Sequence, residues 1–137
     1  MPGYSGTPLA KKLGIREGSH VALMGVPTEV VAEIQPALSS CRIAPNGHGP
    51  FDFIFLFADS QAEFRPLLAK MTKSLAPAGM LWASWPKKAS GVPTDLTEDV
   101  IRQIGLKAGL VDIKVCAVTD VWSGLKFVIP LKNRRKA

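Results

Sequence analysis

Phe51-Asp52-Phe53-Ile54-Phe55-Leu56-Phe57-Ala58 is the most hydrophobic stretch of the chain, and it limits the possible folds more than any other segment. It does not alternate polar with apolar residues, so neither face suits contact with water. It is also bounded by turn-forming residues, Pro45-Asn46-Gly47-His48-Gly49-Pro50 before it and Asp59-Ser60 after it. Strands of this kind lie inside parallel sheets whose two faces are covered by helices. His20-Val21-Ala22-Leu23-Met24-Gly25-Val26, ended by Pro27, has the same character, as does Met80-Leu81-Trp82-Ala83-Ser84-Trp85.

Between these runs the apolar residues recur at helical spacing. Thr7-Pro8-Leu9-Ala10-Lys11-Lys12-Leu13-Gly14 offers a capping hydroxyl, a proline at the first helical position and a glycine past the end, which predicts a short helix. Val30, Val31, Ile34 and Leu38 share one face after Thr28, with Pro36 expected to end that helix early. Ser60-Gln61-Ala62-Glu63 fits a capping box ahead of Phe64, Leu67, Leu68, Met71 and Leu75, with a kink expected at Pro66 and a stop at Pro77-Ala78-Gly79. Val100, Ile101, Ile104 and Ala108 line one face of a further helix ended by Gly109. Arg42-Ile43-Ala44 reads as a short edge strand. Leu110–Val118 and Leu125–Ile129 read as a hairpin across Thr119-Asp120-Val121-Trp122-Ser123-Gly124. The alternation of strand and helix implies right-handed crossovers. The expected fold class is α/β: a Rossmann-like, mostly parallel sheet with helices on both faces and a C-terminal antiparallel hairpin.

At 137 residues and 47% hydrophobic content the chain is long enough for one core, so residues 1–131 are expected to form a single α/β domain. The formal charge is +6, but Lys132, Arg134, Arg135 and Lys136 carry much of it, and residues 132–137 form a basic tail. Such a tail can contact nucleic acid or an acidic partner through phosphate-type interactions, or simply remain solvated. Cys41 and Cys116 have no metal-ligand spacing, and Cys116 sits in the apolar run Val115–Val118, which predicts a buried free thiol in a reducing cytoplasm. The N-terminus lacks a basic stretch followed by an apolar core. No apolar segment nears the roughly 20 residues needed to cross a bilayer, so neither secretion nor membrane insertion is expected.

Three stretches carry a resemblance to known proteins: Tyr4-Ser5-Gly6-Thr7-Pro8-Leu9, the run Trp85-Pro86-Lys87-Lys88-Ala89-Ser90-Gly91-Val92-Pro93-Thr94-Asp95-Leu96-Thr97, and Val115-Cys116-Ala117-Val118 with Trp122-Ser123-Gly124-Leu125. Together they resemble a bacterial family of short proteins known only as a domain of unknown function, which implies a fold and no assigned chemistry. Leu75 to Trp82, the later Ala108-Gly109-Leu110-Val111 and the terminal hairpin are similar, more distantly, to the second half of class I S-adenosylmethionine methyltransferases. That resemblance implies a methyltransferase-like sheet. It would also imply a glycine-rich turn after the first strand and an acid ending the second. Here the turn is Met24-Gly25-Val26-Pro27, which is not G-x-G-x-x-G, and Arg42-Ile43-Ala44-Pro45 ends without an acid.

No G-x-S-x-G elbow, H-E-x-x-H pair or P-loop is present, and His20 and His48 have no patterned nucleophile nearby, so no catalytic residue, metal site or cofactor is expected. The loop leaving the third long strand is the remaining candidate. It joins a strand's carboxyl end to a helix, which is where open α/β sheets bind ligands. Lys87, Lys88, Ser90, Gly91, Thr94 and Thr97 could cradle an anion with the helix-start N–H groups, and Trp122 could wall the site. Against this, Asp95 with Glu98 could form a capping box that uses the same N–H groups, leaving an ordinary structural loop. Trp122 could equally pack locally. Three functions follow from the sequence: a non-catalytic domain binding an anionic or nucleotide-like small molecule, an interaction module using the basic tail, or a divergent S-adenosylmethionine-dependent methyltransferase.

Overall fold

A computed structural model describes residues 8–43 and 48–134. In chain order the elements are α1 (Leu9–Leu13), β1 (His20–Met24), α2 (Thr28–Leu38), β2 (Arg42–Ile43), β3 (Phe51–Phe57), α3 (Gln61–Thr72), β4 (Leu75–Pro86), α4 (Glu98–Lys107), β5 (Val111–Ala117) and β6 (Trp122–Val128). Among the described residues the strands form one sheet in the order β2-β1-β3-β4-β6-β5. The run that begins at Phe51 is central. It pairs in parallel with β1, from Val21 opposite Phe53 to Met24 opposite Leu56, and with β4, from Phe53 opposite Met80 to Phe57 opposite Ser84. Only Asp52 of β3 is exposed. The hairpin closes inward: β6 inserts antiparallel between β4 and β5, with Met80 opposite Val128 and Pro86 opposite Trp122. The fold is therefore the expected mixed α/β sheet, mostly parallel.

Each face of the sheet has its own core. Phe64 and Leu68 of α3 and Ile101 and Ile104 of α4 pack on Ile54, Leu56, Leu81, Leu125 and Phe127. On the other face Leu9, Leu13, Val30, Ile34 and Leu38 of α1 and α2 cover Val21, Phe53, Phe55, Phe57 and Trp82. Each such side chain taken fully out of water contributes about 1.5–3 kcal/mol. The third helix starts as expected, with the Ser60 hydroxyl accepting from the Glu63 N–H at 3.2 Å. No helix among the described residues is long and apolar enough to cross a membrane.

Several boundaries differ from the sequence reading. α2 runs through Pro36 to Leu38, because a proline removes one helical hydrogen bond while Ile34 before it and Leu38 beyond it are both buried. α3 likewise runs through Pro66 and ends at Thr72, before Pro77-Ala78-Gly79. Those three residues belong to β4. Leu75 already pairs with Phe51, and the register then slips so that Met80 meets Phe53. Residues 76–79 thus bulge from the strand, and a Cβ at Gly79 would come within 2.8 Å of the Phe51 carbonyl, so glycine permits the close approach. On α4, Gly105 faces the core and Ala108 is exposed at the C-cap. β6 begins at Trp122, so Trp122, Ser123 and Gly124 are strand residues and not part of the turn. Thr7, Ala44 and Pro45 fall outside the described residues, and Pro8 occupies the N-cap of α1.

Candidate functional site

The carboxyl ends of β1, β3 and β4 open on one edge of the sheet, together with the start of β6, because parallel strands share a direction and β6 runs against them. Direct contacts join the loops there. Thr94 Oγ1 donates to the Asp59 carbonyl at 2.6 Å, the Lys87 N–H donates to the Val121 carbonyl at 2.7 Å, and the Trp122 ring packs edge-on against Phe57 with centroids 4.9 Å apart. Gly25, at φ 70°, brings the turn after β1 against β3, where a Cβ would lie 3.0 Å from the Phe57 carbonyl.

The loop from Lys87 to Thr97 is built from short internal bonds. Lys88–Ser90 forms a 3-10 turn closed by Gly91 at φ 78°, a left-handed conformation that favours glycine. The Ser90 hydroxyl donates to the Lys87 carbonyl at 2.6 Å and accepts from the Val92 N–H at 3.2 Å. Thr94 Oγ1 also accepts from the Leu96 N–H at 3.0 Å, and Leu96 is buried beneath the loop. Thr97, not Asp95, caps α4, accepting from the Val100 N–H at 3.2 Å. The expected Asp95–Glu98 box is absent because Asp95 turns to α3, taking the Gln61 N–H at 2.8 Å while the Gln61 amide donates back to the Asp95 carbonyl at 3.1 Å. A carboxylate at that helix start is electrostatically favourable. Lys87 is half-buried and Lys88 exposed. Gln61 and Asp59 therefore belong to this edge although the sequence reading did not include them.

Elsewhere, His20 has structural partners: its Nδ1 lies 3.0 Å from the Pro50 carbonyl and its ring tilts onto Phe51. Arg134 folds back, Nε donating to the Ile129 carbonyl at 2.8 Å, while Lys132 lies in a short 3-10 turn; Arg135 and Lys136 lie outside the described residues. Cys41 and Cys116 are free and half-buried, less enclosed than the apolar run around Cys116 suggested. Burial pushes the Cys116 thiol up, against the opposing pull of Lys12 and Lys114. Near neutral pH its thiolate fraction should fall below that of an exposed cysteine. Alkylation of Cys116 by iodoacetamide, followed by mass spectrometry of the folded chain, is expected to run several-fold slower than that of a free cysteine peptide; an equal or faster rate would contradict the burial effect.

No protein-family model matches the sequence, and no curated protein matches it. Solved structures do match the fold. A SAM-dependent methyltransferase from Aquifex aeolicus superposes with a TM-score of 0.59 at 16% identity, covering 88% of both chains. A TehB-like SAM-dependent methyltransferase from Corynebacterium glutamicum gives 0.56 at 10% identity over 93% of this chain and 90% of that one. The glycopeptide N-methyltransferase MtfA gives 0.55 at 14% identity over 88% and 87%. The chain thus has the fold of the S-adenosylmethionine-dependent methyltransferases.

The residues at the carboxyl edge do not reproduce the usual grip on that cofactor. Gly25 is accounted for by its approach to the Phe57 carbonyl, and Pro27, at the N-cap of α2, has no N–H to offer. Glu29 in the first turn of α2 places a negative charge where a phosphate or carboxylate would otherwise be welcome. In sequence, Ile43 of β2 is followed by Ala44 and Pro45, with no acid for ribose hydroxyls. Exposed Asp59, after β3, is a further carboxylate at this edge, beside Glu29 and Asp95.

Proposed function

We propose that the chain is a divergent relative of the S-adenosylmethionine-dependent methyltransferases that takes a small ligand at the carboxyl edge of its sheet, in a mode of its own. One observation carries this reading: the match to such an enzyme covers 88% of both chains. The missing glycine-rich turn and ribose acid mean that no catalytic step is assigned to particular residues. A second reading is a non-catalytic domain holding a phosphate-bearing or nucleotide-like anion near Lys87, Lys88, Ser90, Gly91, Thr94, Thr97 and Trp122. The ordered, internally bonded loop favours it, since a rigid loop offers its lysines and main chain at little further entropic cost. Kinship with the short bacterial proteins of unknown function is compatible with either.

Calorimetry and thermal denaturation separate the two. A hundredfold excess of a ligand over its Kd stabilises the folded chain by roughly 2.7 kcal/mol. Saturable binding of S-adenosylmethionine or its demethylated product at micromolar concentration is the result expected of the methyltransferase reading. Response to phosphate and nucleotides alone, lost in a Lys87→Ala, Lys88→Ala double variant that still folds, selects the anion reading. No response to any of these ligands would leave the loop structural and end both.

A further inference from the structure

A cavity of about 390 Å³ opens at the opposite edge of the sheet, where the parallel strands begin. Its walls come from the turn between α1 and β1, including Arg16 and Glu17, from Asp52 of β3, from Gly79 in the β4 bulge and from Lys126 of β6. Its size falls within the range of small-molecule sites. Lys126 stands directly opposite Lys114 in the β5–β6 ladder, so both side chains leave the same face of the sheet with Cβ atoms about 5 Å apart. That face is the one covered by α1, as the position of the Lys114 ammonium 6.0 Å from the centre of the Trp82 ring confirms. Like charges directly opposite destabilise a sheet.

Nothing on the strand pair neutralises them. Asp112, the acid of β5, projects to the other face, where Arg102 of α4 holds it at 2.9 Å while also bridging Glu98 and Asp99. Of the acids in the cavity wall, Asp52 accepts the His20 N–H at 2.9 Å. Arg16 adds to the repulsion: Lys126 is held below the usual lysine range by burial first, then by Lys114 and by Arg16. Two cations, Arg16 and Lys126, thus line one concave site together with Glu17 and Asp52, and Lys114 stands beside Lys126 on the neighbouring strand.

We propose that this cavity binds a phosphate- or pyrophosphate-bearing small molecule, gripped by Arg16 and Lys126. A guanidinium fork and a lysine ammonium are complementary means of holding phosphate oxygens. A cavity of about 390 Å³ has the size of a small-molecule site and not of a groove that tracks a nucleic-acid strand. The site lies apart from the carboxyl edge and does not depend on the reading given for that edge.

The test is calorimetric titration of the full chain with inorganic pyrophosphate at constant ionic strength. Saturable binding is expected, weakened at least tenfold by Lys126→Met and by Arg16→Gln. Without ligand, Lys126→Met should melt no lower than the parent, because it removes one of the opposed charges. Should Lys126→Met fail to fold, Arg16→Gln at the solvent-facing turn still gives the affinity change. Parent-like affinity in Arg16→Gln, loss of binding only in the Lys87 and Lys88 variant, or no saturable heat in the parent would overturn the assignment.

Discussion

Replacing Gly105 with leucine is expected to yield a chain that no longer folds, and replacing it with alanine one that melts below the parent. The direction for alanine runs against helix propensity, which favours alanine over glycine in a helix interior by about 1 kcal/mol. Packing decides it. Phe127 of β6, fully buried, lies against the bare Cα of Gly105, and a Cβ built there would overlap the ring at Cε1 and Cζ. Overpacking of this kind costs about 1–3 kcal/mol, so the expected net loss for alanine is up to about 2 kcal/mol. For leucine, whose whole side chain must enter the same space, the loss exceeds about 4 kcal/mol. A double-mutant cycle makes the cause visible. Phe127→Leu alone should destabilise by opening a cavity, but combined with Gly105→Ala the two losses should fall short of their sum by about 1 kcal/mol or more, measured by urea unfolding. Gly105→Ala with stability at or above the parent would show that the ring gives way freely.

This position also shows where the sequence stopped being informative. The apolar period of α4 was legible, and Ile101 and Ile104 lie in the core as it implied. Ala108 reads as the next position on that face, yet the helix turns Gly105 inward, where only the smallest residue fits beneath Phe127. Strands were more legible than helix ends. A run such as Phe53-Ile54-Phe55-Leu56-Phe57 has one stable environment, and the sheet supplies it. Pro36 reads as an early end of α2 and Pro66 as a kink in α3, because a local rule sees a lost hydrogen bond and not the burial of Leu38 and Leu68 beyond them. The insertion of β6 between β4 and β5, rather than beyond β5, depends on strand pairing, which hydrophobic runs do not encode.

For the sites, topology was legible and bonding was not. Loops after parallel strands must emerge together, and Thr94 meeting Asp59, or Lys87 meeting Val121, follows from that. Asp95 three residues before Glu98 has the form of a cap for its own helix, but Gln61, 34 residues earlier in the chain, takes its carboxylate. The cationic cavity was hidden for a related reason. Lys114 and Lys126 are charged residues of two different strands, and only the register of β5 on β6, unbroken from Ala117 opposite Ser123 to Lys114, sets them opposite each other, the bulge lying beyond them toward Asp112. Counting outward from the 118–121 turn would have given a hint, and Arg16 would still have required the folded chain.

Trp82 should be the most damaging single large-to-small change on the other face of the sheet, because it joins three elements at once. The side chain is completely buried on β4, its Nε1 donates to the carbonyl of Leu13 at 2.8 Å, and β6 approaches its ring closely enough that a Cβ at Gly124 would lie 3.2 Å from Cε3. Leu13 is the last residue of α1, and Gly14 turns the chain away in a left-handed conformation. The indole is thus a buried anchor for a helix of one turn, too short to persist unless docked. Trp82→Ala is expected to cost about 3–5 kcal/mol for the lost burial and the cavity. Trp82→Phe keeps most of the ring volume but removes the donor and leaves the Leu13 carbonyl without it, for about 1–3 kcal/mol. The phenylalanine variant gives the sharper test, because the two effects separate in space. Hydrogen exchange in it should show amides of α1 exchanging faster, beyond what the global loss explains, with those of β3 and α3 following global stability. Uniform loss of protection across the chain would mean that Trp82 acts by volume alone and that α1 is held by Leu9 and Leu13.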